Sequence, residues 1–100
     1  MRLQSRNEME TVLDLKDLRC FVAVYEMGGF ARAAIKLHTV QSAVSVRIRK
    51  LELVMGAPLF LRMHRAISVT AKGEKLYSHA RRVFAELEEL EASVKTRQAG

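Results

Sequence analysis

The stretch Thr39-Val40-Gln41-Ser42-Ala43-Val44-Ser45-Val46-Arg47-Ile48-Arg49-Lys50-Leu51-Glu52 decides how the chain is read. It scans as a short turn feeding a helix. Val44, Ile48, Leu51 and Met55 recur at helical spacing and fall on one face. The opposite face carries Ser42, Ser45, Val46 and Arg49, with Lys50 at its edge. One side is built for a core and the other presents short, polar and cationic groups. A B-DNA major groove admits such a helix, and short side chains near its start let the backbone come close. The same pattern also fits an ordinary surface helix with a basic outer face, so its neighbours decide the reading.

Upstream, Phe30, Ala33, Ala34 and Leu37 form the inward side of a short helix over about 31–37, with Arg32 and Lys36 outward. Small alanines there allow another helix to approach closely. His38-Thr39-Val40 then breaks the run. Two helices joined by so short a turn, the first with alanine at its contact face, make a helix-turn-helix. His38 stands where that turn favours glycine, and reads as a turn residue packed against the first helix. That first helix runs to about Met27 on Leu15, Leu18, Phe21, Val22 and Tyr25. Asp14 or Asp17 caps its start and Gly28-Gly29 stops it.

Downstream, Gly56 and Pro58 end the groove-facing helix. Leu59 to Met63 reads as a strand, His64-Arg65-Ala66 as a turn and Ile67-Ser68-Val69 as the returning strand. A helix-turn-helix followed at once by a hairpin describes a winged helix. Arg62, His64 and Arg65 ride on the wing, where charge reaches phosphates or the minor groove, or else decorates a solvated loop. Thr70 is a good N-cap for a last, long helix. In it Leu76, Ala80, Val83, Leu87, Leu90 and Val94 step by 4, 3, 4, 3 and 4, a heptad seam. Tyr77 and Phe84 make a second apolar line, and Glu86, Glu88, Glu89 and Glu91 make the outer face acidic. Acid there repels DNA, so this helix is expected to stand off the duplex and pair with a second copy rather than fold back on its own domain.

The expected architecture is therefore mainly α: three helices and a two-stranded wing over 14–70, with the helix-turn-helix at 30–49. A dimerisation helix over 71–100 follows, and an extension over 1–13 precedes. One hundred residues suit one small domain. A net charge of +6 favours a polyanionic partner, nucleic acid before membrane surface. The single cysteine, Cys20, sits in an apolar run and reads as a packed small hydrophobe, with no metal site and no internal disulfide. No stretch is apolar enough to cross a bilayer, and the first residues lack a signal-peptide core, so a cytoplasmic protein is expected.

These residues together resemble the DNA-binding domain of LysR-type transcriptional regulators. The match runs through Leu18-Arg19, Phe21-Val22-Ala23-Val24, Phe30-Ala31-Arg32-Ala33-Ala34 and Leu37 to Ser45. It continues in Ile48, Leu51-Glu52, Gly56-Ala57-Pro58-Leu59-Phe60, Arg62 and Val69 to Gly73. Each piece is weak alone, but the combined spacing is specific. The resemblance implies a dimer or tetramer on double-stranded DNA, with the last helix as the linker that pairs subunits. It implies an inducer-binding effector domain, which has no counterpart in these residues, and no cofactor within them. It places the DNA-contacting start of the recognition helix on Gln41, Ser42, Ser45 and Val46, beside the turn residues Thr39 and Val40. The wing arginine falls on Arg62.

One departure matters: many members of the family it resembles carry arginine where this chain has Val46, so a bidentate guanine contact is missing there; valine can touch a thymine methyl instead, and Arg47 lies nearer the buried flank and does not substitute. Gln41 suits adenine, since its amide offers a donor and an acceptor side by side. Arg32, Arg49, Lys50, Arg62 and Arg65 are expected on phosphates. A protein-interaction module using the heptad helix is the rival reading, against which the clustering of cations around the groove face argues. An enzyme has little support: there is no phosphate-binding glycine loop, and His38, His64 and His79 are scattered over three elements.

Overall fold

The computed structural model describes residues 13–99, so the expected extension over 1–13 lies, but for Leu13, outside the described residues. The element order is α1 (Leu15–Met27), α2 (Phe30–Lys36), α3 (Gln41–Met55), β1 (Phe60–Met63), β2 (Ala66–Val69) and α4 (Ala71–Ala99). This is the winged helix-turn-helix with a long last helix that the sequence implies.

Each boundary has a local cause. Asp14 settles the choice of cap for α1: its Oδ1 accepts the Lys16 amide at 2.8 Å. Gly28 and Gly56 close α1 and α3 with φ of 77° and 73°, conformations that a side chain resists. The turn between α2 and α3 does without glycine. His38 adopts φ 57° there and is exposed, which corrects the expectation that it packs against the first helix. Histidine is among the residues that tolerate this region better than most.

The wing is a two-stranded antiparallel ribbon with Phe60 opposite Val69, Arg62 opposite Ile67 and Met63 opposite Ala66. Its turn is only His64-Arg65, with Ala66 already in the strand, and His64 takes φ 44°. Tight hairpin loops of this length need positive φ, which suits the right-handed strand twist.

The core gathers one face of each of the three small helices. Phe21, Val24, Val44, Leu51 and Leu59 are among its fully covered side chains, and Ala33 and Ala34 let α2 lie close against its neighbours. Phe60 seals the base of the wing, its ring 5.3 Å from that of Phe21. In α3 the inward residues are Val44, Ile48 and Leu51, as the spacing requires, while Ser42, Val46 and Arg49 are exposed.

The long helix is bound tightly at its base. Thr70 Oγ1 accepts the Gly73 amide at 3.0 Å and donates to the carbonyls of Pro58 at 2.7 Å and Leu59 at 3.1 Å. Tyr25 and Tyr77 stack face to face at 3.6 Å with 4° between planes. Their hydroxyls cross over: Tyr25 donates to Glu74 at 2.8 Å and Tyr77 to Glu26 at 2.6 Å. Arg19 of α1 lies over the Phe84 ring at 4.8 Å.

The heptad seam therefore splits. Ala80 is buried, and Leu76 is partly buried against this domain's own core. Val83, Leu90 and Val94 are 39%, 59% and 45% exposed, and Leu87 is half-buried. Among the described residues no helix is long and apolar enough to cross a membrane.

Candidate nucleic-acid interface

Three elements converge beside the start of α3. The Gly28-Gly29 corner leads into α2, the start of α3 lies next to it, and the wing closes the third side. Between them is a cleft of about 470 Å³ lined by Arg32, Gln41, Arg62, His64 and Arg65, with Phe30 at its floor. Residues from α2, α3 and the wing, up to 37 positions apart in sequence (30 to 67), thus share one concave surface. A second, smaller cleft of about 170 Å³ adjoins it, where Ser45 and Arg49 meet Arg62 and Glu52. Arg62 lines both.

Arg62 is held in a defined place. Its guanidinium lies 4.2 Å from the Phe30 ring centre, an arrangement that orients the planar fork while leaving the side chain exposed. Glu52 looks from sequence like an acid set against this basic surface. Its Oε2 instead accepts the Leu59 amide at 2.9 Å, and so it fixes the turn between α3 and the wing.

The other expected contact residues divide by exposure. Gln41, Ser42, Val46 and Arg49 are exposed and Ser45 is half-buried. Thr39 and Val40 are exposed in the turn, Val40 by 63%. Thr39 faces a separate cleft of about 240 Å³ beside Lys16, Arg19, Cys20 and Arg47, away from the wing. Cys20 is buried, its thiol 3.9 Å from the Val44 carbonyl. Burial pushes its ionisation upward; the Arg47 charge pulls it down and the Asp17 charge adds to the rise.

Lys50, expected on phosphates, has its Nζ 2.9 Å from Oδ2 of Asp17, and Arg47 Nη1 donates to Oδ1 of the same carboxylate at 2.8 Å. Asp17 has no exposed surface at all. A carboxylate so placed is costly unless paired, and two cations of α3 supply the pairing. The assignment of Lys50 rested on its place at the edge of the polar face, which says nothing of a partner on another helix.

From sequence Asp17 offers itself only as a possible cap. The signal was present: Asp17, Cys20, Phe21 and Val24 share one helical face, and an acid in an apolar row demands a cation. Among the described residues, no group of three or more His, Cys, Asp or Glu side chains is placed to hold a metal ion.

A winged helix-turn-helix whose recognition-helix start, wing and second-helix start share one arginine-lined cleft has the build of a helix-turn-helix DNA-binding domain. Residues 15–74 match the model of the family described as "Bacterial regulatory helix-turn-helix protein, lysR family", and the chain belongs to that family.

Its relatives are transcriptional regulators. It is 39% identical over 79 residues to the HTH-type transcriptional regulator CfxR of Cupriavidus necator, covering 79% of this chain and 25% of CfxR. It is 48% identical over 62 residues to the Hca operon transcriptional activator HcaR of Escherichia coli, covering 62% of this chain and 21% of HcaR. The chain thus spans about a quarter of the length of the curated relatives it matches.

Among solved structures, it resembles the BenM DBD in the complex with catB site 1 DNA. That match has a TM-score of 0.83 and 32% identity, over 88% of this chain and 99% of that one. The CbnR DBD in its DNA complex matches with a TM-score of 0.76 and 33% identity, over 88% of this chain and 100% of that one.

Proposed function

We propose that this chain is the operator-binding part of a transcription regulator and that it grips double-stranded DNA as a homodimer. The observation that carries the proposal is the cleft uniting Gln41, Arg32, Arg62 and Arg65 at the start of α3. Related domains of the same fold, the BenM and CbnR DBDs, are found in complexes with DNA. On this reading α3 enters the major groove. Gln41 reads an adenine edge, Ser42 and Ser45 bond to a base edge or phosphate, and Val46 touches a thymine methyl. Arg32, Arg49, Arg62 and Arg65 neutralise phosphates, with His64 beside them, and the turn residues Thr39 and Val40 let the backbone approach the duplex.

The homodimer rests on the exposed half of the heptad row. Val83, Leu90 and Val94 are too large and apolar a line for a solvated helix face, and Leu87 completes it. Leu76 packs on the domain's own core and Ala80 is already buried, so the proposed pairing surface is shorter than the full seam. A higher assembly, a tetramer, belongs to the whole protein, as does inducer binding by an effector domain outside these residues. The proposed setting is the cytoplasm, where the nucleoid lies. The rival reading, a protein-interaction module, predicts no affinity for duplex DNA.

The test is selection of bound duplexes from a random pool. The proposal expects enrichment of a two-fold symmetric site. No enrichment, together with no retardation of random duplex at low salt, refutes it.

A further inference from the structure

We infer that Asp17 is a specificity-determining residue that withholds two cations of the recognition helix from the DNA backbone. The inference rests on the DNA-binding reading above. Arg47 and Lys50 are two of the three basic residues of α3, the third being Arg49, beside which Arg62 of the wing lies. Among these, Arg47 donates a hydrogen bond to the Asp17 carboxylate at 2.8 Å, and Lys50 Nζ lies in ion-pair contact 2.9 Å from its other oxygen without hydrogen-bond geometry. Their side chains remain 39% and 50% exposed although their charged ends contact a carboxylate with no exposed surface. Val46 shares the surface hollow that Asp17, Arg47 and Lys50 line.

The arrangement follows from chemistry. Asp17 lies in the apolar row of α1 and is wholly buried. A buried carboxylate holds its cations against competition, because releasing them would leave an uncompensated charge out of water. A backbone phosphate offers the same guanidinium and ammonium partners a similar anionic oxygen, but in a solvated and salt-screened setting. Asp17 thus occupies in advance the place that a phosphate would take. The consequence concerns selectivity more than strength. Phosphate contacts raise affinity for every sequence alike, whereas base contacts distinguish sequences. Tying up two cations beside the base-reading face lowers binding to random duplex without touching Gln41 or Ser45. It also explains why Arg47, one step from Val46, does not replace a guanine contact at that neighbouring position: its guanidinium is turned toward α1 and held there.

The experiment measures the salt dependence of binding to a random-sequence duplex, with fluorescence anisotropy as readout and circular dichroism as a check on folding. The wild-type chain sets the reference slope, and Arg62→Gln serves as the control, expected to flatten the slope by about one. Asp17→Asn frees Arg47 and Lys50. It is expected to steepen the slope by about one to two and to tighten binding to random duplex at low salt. Lys50→Gln removes a cation that is already matched and is expected to leave the slope within a few tenths of wild type. A folded Asp17→Asn chain with an unchanged or flatter slope overturns the inference. So does a Lys50→Gln chain whose slope flattens by as much as that of Arg62→Gln. Should Asp17→Asn fail to fold, Lys50→Gln decides alone. Failure of the wild-type chain to bind duplex at any salt refutes the DNA-binding reading instead, and is distinguishable from either result.

Discussion

Gly73→Ala sets two physical effects against each other, and the structure decides the sign. Gly73 is the third residue of α4, where an exposed glycine is normally a weak point: alanine would stabilise the helix by about 0.5–1 kcal/mol. Here the glycine is buried, and a Cβ would stand 2.4 Å from the Leu59 carbonyl oxygen and 2.8 Å from Val69 Cγ1. The valine can rotate. The carbonyl is backbone, and it accepts the Thr70 amide at 3.0 Å and the Thr70 hydroxyl at 3.1 Å. Making room moves either α4 or the entrance to the wing by roughly 1 Å, since a relaxed carbon-to-oxygen contact is longer by about that much.

Overpacking of this kind costs about 1–3 kcal/mol, and a weakened hydrogen bond to Leu59 adds about 0.5–1.5 kcal/mol. Subtracting the helix gain leaves a net loss of about 2 kcal/mol. For a domain of this size each kcal/mol moves Tm by roughly 4–8 °C, so Tm should fall by roughly 8–16 °C. Thermal unfolding followed at 222 nm measures it, with both chains at one concentration because association also shifts Tm. An unchanged or raised Tm would refute the reasoning and show that helix propensity governs this position.

Three further outcomes follow from the same geometry. Gln41→Ala should lose about 1–3 kcal/mol on the selected operator and far less on random duplex, as measured by competition binding; equal losses on both would remove its base-reading role. Leu90→Lys, at a position 59% exposed and outside the domain core, should shift sedimentation toward the monomer while leaving the far-ultraviolet spectrum of a folded domain. The Tyr25 hydroxyl should titrate above its ordinary 10.0, chiefly because it donates to Glu74 and further because of burial and the Glu74 charge. Its neutral form is thus favoured in the fold. That stabilisation is complete below pH 10.0 and disappears as pH climbs through the raised value. A Tyr25→Phe chain should accordingly lose less Tm than wild type between neutral and strongly alkaline pH, and a parallel decline of the two chains would contradict the assignment.

The order of elements was open to reading because local chemistry marks it. Gly28 and Gly56 stop their helices by backbone freedom, Asp14 and Thr70 start theirs by capping, and Pro58 separates α3 from the wing. Periodicity alone assigned Val44, Ile48 and Leu51 inward and Val46 and Arg49 outward. Its limit is that a helix wheel gives a direction and never a partner. Lys50 and Arg47 meet a carboxylate on another helix, 33 and 30 residues away, and only packing brings them together. The Tyr25–Tyr77 stack spans 52 positions and was out of reach for the same reason. The heptad row misled in one respect: equal spacing suggested equal roles, whereas Leu76 and Ala80 lie against the domain and Leu90 does not. The concave surface shared by Arg32, Gln41 and Arg62 likewise depended on how α2, α3 and the wing dock, which no single segment encodes.

The crossed tyrosine hydroxyls have a mechanical consequence. The 29 residues of α4 make a shaft about 43 Å long. Its first turns are clamped by Thr70, by the Tyr25–Tyr77 stack and by Arg19 on Phe84, and its side chains from Glu88 to Lys95 all lie open. A shaft gripped at one end has its base fixed to α1, and Asp17 in turn pairs α1 with α3, so the grip and the recognition helix share one helix as their anchor. The base of α4 and the surface that carries Gln41 are thus joined through α1 by direct contacts.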